Sequence, residues 1–347
     1  STFKNCWLAK PGEFTKTALL NKKINLLQAE SLIDLINSET ELQRTQALKV
    51  MNDDTTKIYN NLRDEMIKIL SDYEAVIDFS DDEVGDNVFL NNRDKLLKIN
   101  DKIKEIIRKG ENSEKIREGF KVSIVGPTNS GKSSLINCLA NRQVSIVSNI
   151  PGTTRDLIET SILLNGKIVR FFDTAGFRNS KNIIEKKGIS LTKSNLKDSD
   201  LKLIIFDHTK KFDKKILKLF DEKSILVLNK IDIKKSKKFL EDKIYKPIRI
   251  SAKKNIGVSN LIKTISKKID DHFKVNEDNI ISRQRHVKSL ENTVFFINRC
   301  LNKKSINQID LAAEDLRLAV RNLGEIVGYV NVEELLDRIF KDFCIGK

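Results

Sequence analysis

Gly126-Pro127-Thr128-Asn129-Ser130-Gly131-Lys132-Ser133 decides how the centre of this chain folds. It has the G-x-x-x-x-G-K-[ST] form of a loop that wraps phosphates. The apolar run Val122-Ser123-Ile124-Val125 precedes it, and a helical stretch starting at Ser134 follows, so the loop joins a strand to a helix N-terminus. Glycines let backbone N–H groups close in on an anion, and the helix dipole favours negative charge there. Lys132 is read as the point charge on the β- and γ-phosphates. The Ser133 hydroxyl is read as a Mg²⁺ ligand, with Ser130, Gly131 and Ser134 among the phosphate contacts. The ligand class is a nucleoside triphosphate.

A second motif names the base. Asn229-Lys230-Ile231-Asp232 follows a predicted strand at 224–228. A carboxylate at 232 can accept from N1–H and the exocyclic amine of guanine, whereas adenine would leave that charge unpaired. Ser251-Ala252-Lys253, after the last predicted strand, is expected to complete the base pocket through backbone N–H groups. Asp173-Thr174-Ala175-Gly176 ends another predicted strand, with Asp173 holding Mg²⁺ through water and the Gly176 N–H meeting the γ-phosphate. Between lies Gly152-Thr153-Thr154-Arg155-Asp156, where Thr154 is the candidate switch threonine that closes on Mg²⁺. Small GTPases often carry a water-positioning Gln after D-x-x-G. Here that residue is Phe177, so hydrolysis must use another device, and Arg178, Glu185 and Lys186 lie close by.

The chain around these motifs has two textures. Residues 25–110 read as helical: Ile58, Leu62, Met66, Ile69 and Tyr73 recur at three-to-four spacing, as do Leu96, Ile99, Ile103 and Ile106. From 119 to 272 short apolar strands at 121–125, 168–173, 201–206, 224–228 and 247–250 alternate with polar helical stretches. That is the pattern of a doubly wound, mostly parallel sheet. After 279 helical stripes return, Val287 to Leu301 and then Val332 to Phe340, the second opened by Asn331 as N-cap. The expected architecture is an α/β nucleotide domain (118–278) inserted in an all-α domain (21–117 and 279–347).

Composition narrows the partners. The 347 residues carry a formal net charge of +15, which favours an anionic partner such as RNA. No run reaches the roughly 18–20 apolar residues of a membrane span, and the start lacks a basic-then-apolar leader, so a cytoplasmic protein without membrane contact is expected. Cys6, Cys138, Cys300 and Cys344 form no C-x-x-C pair and do not cluster with the three His, which argues against a zinc site or disulfide framework. Cys6, Cys138 and Cys300 read as packing residues, and His208, His272 and His286 fall in no motif.

With these residues in view, the chain resembles the MnmE (TrmE) family of tRNA-modification GTPases. The resemblance runs from Pro11-Gly12-Glu13-Phe14-Thr15 through Gln28-Ala29-Glu30, Ile77-Asp78-Phe79 and every nucleotide motif to the tail Phe343-Cys344-Ile345-Gly346-Lys347. It implies GTP hydrolysis without a separate activating protein, by two nucleotide domains that pair face to face in a homodimer. It implies K⁺ beside the phosphates, held by Asn129, Ser148, Ile150 and Thr153, and Glu185 as the residue that positions water. It further implies a flavin-dependent partner, MnmG (GidA), in a heterotetramer that modifies the 5-position of the wobble uridine of certain tRNAs (the cmnm5U type). The one-carbon unit would come from a tetrahydrofolate derivative bound in an α+β amino-terminal domain, of which residues 1–20 would be the remnant, with Lys23 and Lys347 as the remaining contacts. Cys344 is then a candidate thiol at the modification centre, against the plainer reading of a small buried residue. The opening Ser1-Thr2-Phe3-Lys4 lacks Met, and a fragmentary chain is expected. One rival is a ribosome-assembly, RNA-binding GTPase of the Era or Der kind. The other is a helical scaffold with an inactive nucleotide domain.

Overall fold

The computed structural model describes residues 8–78, 82–110, 113–142, 158–173, 199–233, 245–272, 280–303 and 305–329. Six helices come first: α1 (Glu13–Leu20), α2 (Leu26–Ile36), α3 (Glu41–Met51), α4 (Asp53–Asp78), α5 (Asp82–Gly110) and α6 (Ser113–Glu118). An α/β stretch follows: β1 (Phe120–Val125), α7 (Lys132–Arg142), β2 (Ile158–Leu164), β3 (Lys167–Asp173), β4 (Leu201–Asp207), α8 (Lys214–Leu217), β5 (Ser224–Asn229), β6 (Ile248–Arg249) and α9 (Val258–His272). Two helices, α10 (Gln284–Leu301) and α11 (Ile309–Val327), close the described chain. The chain divides into two compact units. One joins residues 1–117 to 275–347, and the other is 118–274.

The helical unit has one core drawn from both of its segments. Leu62, Met66 and Ile69 of α4 and Leu96, Ile99 and Ile103 of α5 pack with Leu290 and Ile297 of α10 and Leu316, Ala319 and Leu323 of α11, all buried. Their three-to-four spacing is the reason: each helix shows an apolar stripe that only neighbouring helices can cover. Local chemistry sets the starts. Asn25 accepts from the Gln28 N–H at 2.8 Å while the Gln28 amide oxygen accepts from the Asn25 N–H at 3.0 Å, a reciprocal cap that opens α2. Thr40 accepts from the Gln43 N–H and opens α3.

A buried ionic knot fastens the two segments together. Glu30, on α2, is 1% exposed. Its Oε2 accepts from Arg285 Nη2 at 2.7 Å and from His286 Nε2 at 2.8 Å, and its Oε1 accepts from Arg285 Nε at 3.1 Å. Arg285 also donates to the carbonyls of Glu325 and Ile326, and Arg283 donates to Asp34 at 2.7 Å. Burial alone would push the Glu30 carboxyl up. The bonds from His286 and the charge of Arg285 outweigh it and hold Glu30 well below the usual carboxylate range. Burial pushes His286 down against the pull of Glu30, so the ring is neutral and donates through Nε2. Sequence reading assigned His286 nothing, because its partner lies some 256 residues away.

The second unit is a six-stranded sheet in the order β2-β3-β1-β4-β5-β6. β1 pairs parallel with β3 and β4, β5 with β4 and β6, and only β2 runs antiparallel, against β3. β1 and β5 are almost wholly buried, as strands covered on both faces must be. The order reverses at β1, and in such sheets ligands settle outside the carboxyl ends at that point. β2, absent from the sequence reading, forms a hairpin with β3 through Asn165-Gly166, both at positive φ (50° and 75°).

Glu30→Ala would leave the largely buried Arg285 without its carboxylate and the buried His286 without its acceptor, and should cost about 3–5 kcal/mol in a urea unfolding experiment. Both groups bind protons more weakly folded than unfolded. Wild-type stability is therefore fully present above pH 6.5 and should fall below it through His286, and again below 4.5 through Glu30.

Candidate functional site: the nucleotide cradle

The carboxyl ends of β1, β4 and β5 bring the sequence motifs to one rim. After β1 the loop passes through Asn129 at φ 60° and Gly131 at φ 95°, then enters α7 at Lys132. The two glycines of the loop have no room for a side chain. A Cβ on Gly126 would lie 2.2 Å from the Ile205 carbonyl, and one on Gly131 would lie 2.1 Å from Asn229 Nδ2. Lys132 Nζ donates to the carbonyls of Gly126 and Pro127, both at 3.0 Å, so its charge sits inside the loop. Ser133 and Ser134 are exposed in the first turn of α7, and Ser130 is buried.

Asn229 binds three segments together. Its Nδ2 donates to the Ser130 carbonyl at 3.0 Å, and its Oδ1 accepts from the Lys230 N–H at 2.8 Å and the Ala252 N–H at 3.0 Å. One buried amide thus links the phosphate loop to the segments of Asp232 and Ser251. Lys230 adds a second tie: Nζ donates to the Asn129 carbonyl at 2.6 Å and to Asp207 Oδ2 at 2.7 Å. Asp207 also accepts from the N–H and the hydroxyl of Thr209. Burial pushes Asp207 up, but its bonds from Lys230 and Thr209 prevail and hold it below its ordinary range. Sequence reading missed Asp207, because only the pairing of β4 with β5 sets it beside the N-K-x-D loop.

Asp232 accepts from the Ser251 hydroxyl, which is the main cause of its lowered pKa, with Lys254 and Lys253 helping through charge. It is therefore ionised and aimed by Ser251. In Ser251-Ala252-Lys253 the first two N–H groups have partners within the protein. The Ser251 N–H donates to Ile256 O and the Ala252 N–H to Asn229, so these two brace the loop. The reason is a bridge between Ser251 and Ile256 that closes the turn.

The remaining candidates divide. Lys23 is exposed in the turn ahead of α2. Asp173 ends β3. Ser148, Ile150, Thr153, Thr154, Thr174, Ala175, Gly176, Arg178, Glu185, Cys344 and Lys347 lie outside the described residues. Of the packing cysteines, Cys300 is buried, with its thiol pushed up to about 12 by burial and by Asp315. Cys138 is only half-buried, 3.4 Å from Asn255 Oδ1. No cluster of His, Cys, Asp and Glu able to hold a metal, and no helix long and apolar enough to cross a membrane, occurs among the described residues.

The sequence profile of the MnmE helical domain matches residues 26–344. The tRNA modification GTPase MnmE of Pelagibacter ubique is 49% identical over 348 residues, covering all of this chain and 79% of that protein. This chain belongs to the MnmE family. The MnmE of Rickettsia canadensis is 39% identical across 99% of this chain and 78% of its own length. Among solved structures, an Aquifex aeolicus Era variant bound to GDP·AlF4⁻ is 27% identical, covering 53% of this chain and 68% of that one, with a TM-score of 0.33. Membership along the whole chain sets aside the Era- and Der-like reading.

Gly131→Ala must displace Asn229 and break bonds in a buried network. Each such group left unpaired costs about 1–3 kcal/mol, so GTP affinity should fall at least about fivefold by fluorescent-nucleotide titration. Gly166→Ala is the control: nothing lies within 4 Å of its Cβ, and nucleotide affinity should not change.

Proposed function

We propose that this chain binds GTP with Mg²⁺, hydrolyses it when two nucleotide units pair around K⁺, and uses that cycle to drive modification of the wobble uridine of tRNA. The observation that carries the reading is the cradle in which Asn229 ties the phosphate loop to the segments of Asp232 and Ser251. Phosphate binding and base reading are thereby made one rigid unit. The relatives' name, tRNA modification GTPase, supports the use of the energy.

The residues divide the work as follows. Lys132 and the N–H groups at the start of α7 hold the phosphates. Asp232 accepts from guanine N1–H and the 2-amine, and Ser251 keeps it ionised and oriented. Ser133, exposed at the loop's end, fits a Mg²⁺ ligand and would share that role with Thr154, with Asp173 acting through water. When bound, Mg²⁺ and K⁺ supply positive charge against the charge that builds on the phosphates. Asn129 fits a place beside that K⁺, because Lys230 and its positive φ fix its backbone while its side chain is exposed. Ser148, Ile150 and Thr153 complete the set on the family resemblance. Glu185 positions the attacking water in place of the missing Gln, with Arg178 close in sequence.

Homodimer formation through the nucleotide units, a flavin-dependent MnmG partner and a folate-derived one-carbon unit belong to the same proposal. Of the folate contacts, Lys23 is an exposed ammonium able to meet a folate carboxylate. Cys344 stands as the candidate thiol of the modification centre.

Replacing K⁺ by Na⁺ in a GTPase assay should cut turnover at least about tenfold, in line with the worth of one charge at such a transition state; equal rates would remove the K⁺ role. Glu185→Ala should bind GTP normally and lose turnover. Asp232→Asn should exchange guanine for xanthine preference, since an amide N–H then faces a carbonyl at position 2. A variant that still prefers GTP would show that Asp232 does not read the base.

A further inference from the structure

The excess positive charge of the chain is not spread along it. Residues 118–274 carry 33 Lys and Arg against 16 Asp and Glu, a formal charge of +17, while the helical unit carries 30 against 32, or −2. A compositional bias towards lysine would raise both units alike, so the helical unit serves as an internal control. One nucleotide with its Mg²⁺ needs only a few of these cations.

One dense part lies between β4 and β5. Lys210, Lys211, Lys214, Lys215 and Lys218 fall within nine residues and are all exposed. The apolar residues of the same stretch explain how the lysines come to face outward. Phe212 is buried against Phe206, ring centroids 4.8 Å apart, and Ile216 is buried in the same cluster. These two anchors turn the intervening lysines to solvent. Asp213 is the one acid in 210–218, and it is engaged: its carboxylate accepts from the Lys215 N–H at 2.8 Å and opens α8. Among the described residues no carboxylate pairs with any of the five ammonium groups. By contrast Lys202, on β4, is paired with Asp221 at 2.6 Å. The stretch is also fixed to the nucleotide rim, because the Lys210 N–H donates to Asp207 O, and Asp207 holds Lys230.

We propose that Lys210, Lys211, Lys214, Lys215 and Lys218 form a docking surface for the phosphate backbone of the RNA substrate, on the nucleotide-binding unit and not on the helical one. The proposal rests on the reading of tRNA as substrate. Lysines suit this task because backbone phosphates position a nucleic acid without reading its sequence, and point charges on flexible stems follow an irregular backbone. Neutralised phosphates release counterions, so binding must weaken steeply with salt.

The test compares the wild-type chain with a variant carrying Lys→Gln at all five positions, and with a control carrying Lys95→Gln, Lys98→Gln and Lys102→Gln on α5. Binding of unmodified tRNA is followed by fluorescence anisotropy from 50 to 300 mM KCl, alongside GTP turnover. The five-site variant should bind tRNA at least tenfold more weakly near 100 mM salt. Its slope of log K against log salt should be shallower by about 2 or more, at about 0.7–0.9 for each phosphate no longer neutralised. The control should match wild type, and GTP turnover without tRNA should be unchanged in both, which shows that both fold. If wild type binds tRNA and the five-site variant binds equally with the same slope, this surface is wrong and the tRNA reading survives. If wild type binds no tRNA, or binds anionic lipid vesicles in its place, both fall.

Discussion

A single buried amide, Asn229, holds this site together. It reaches the phosphate loop through Ser130, the base loop through Lys230 and the last loop through Ala252. The three segments come from distant parts of the sequence, and each has a backbone that would otherwise present unpaired groups in a buried place. Glycine at 131 follows from the same constraint, since any side chain there would fall on the Asn229 amide. The sheet supplies the frame: three parallel strands end at one rim, where the strand order reverses. The phosphate loop and the segments of Asp232 and Ser251 are therefore mechanically joined, and a change felt at one end reaches the other through two or three hydrogen bonds.

The helical unit answers a different need. Its two halves are far apart in sequence and share one core, and the knot of Glu30, Arg283, Arg285 and His286 fixes their register. Truncating Glu30 leaves two arginines without their carboxylate, and truncating Arg285 leaves that carboxylate short of a charge partner in a buried place, which makes such a knot demanding of its exact partners. Apolar stripes alone would let two helices slide by a turn. The charges would not.

Much of the fold could be read from residues alone, for identifiable reasons. The runs at 121–125, 168–173, 201–206 and 224–228 are apolar, short and bounded by turn-forming residues, and the strands lie within one residue of those bounds. The run at 247–250 yields only two strand residues, because the backbone bends at once into the Ser251 bridge. β2 escaped notice because Ile158–Leu164 mixes polar and apolar residues as an edge strand does, although Asn165-Gly166 was a strong hairpin signal. At the site the motif residues were legible because loops that hold phosphate tolerate few sequences. The braces were not: Asp207, the side chain of Lys230 and the three-way role of Asn229 depend on which strand ends are neighbours. The pairing of Glu30 with His286 was hidden for the same reason, since periodicity speaks of faces and not of partners.

The central claim is that guanine recognition at Asp232 governs chemistry on tRNA. Its most direct test is the mass of the wobble nucleoside in tRNA from cells lacking this protein, supplied either with the wild-type gene or with the Asp232→Asn gene. The account predicts an unmodified uridine 5-position without the protein, recovery with wild type and no recovery with the variant. Full modification in cells carrying the variant, or no change on removing the protein, would contradict it.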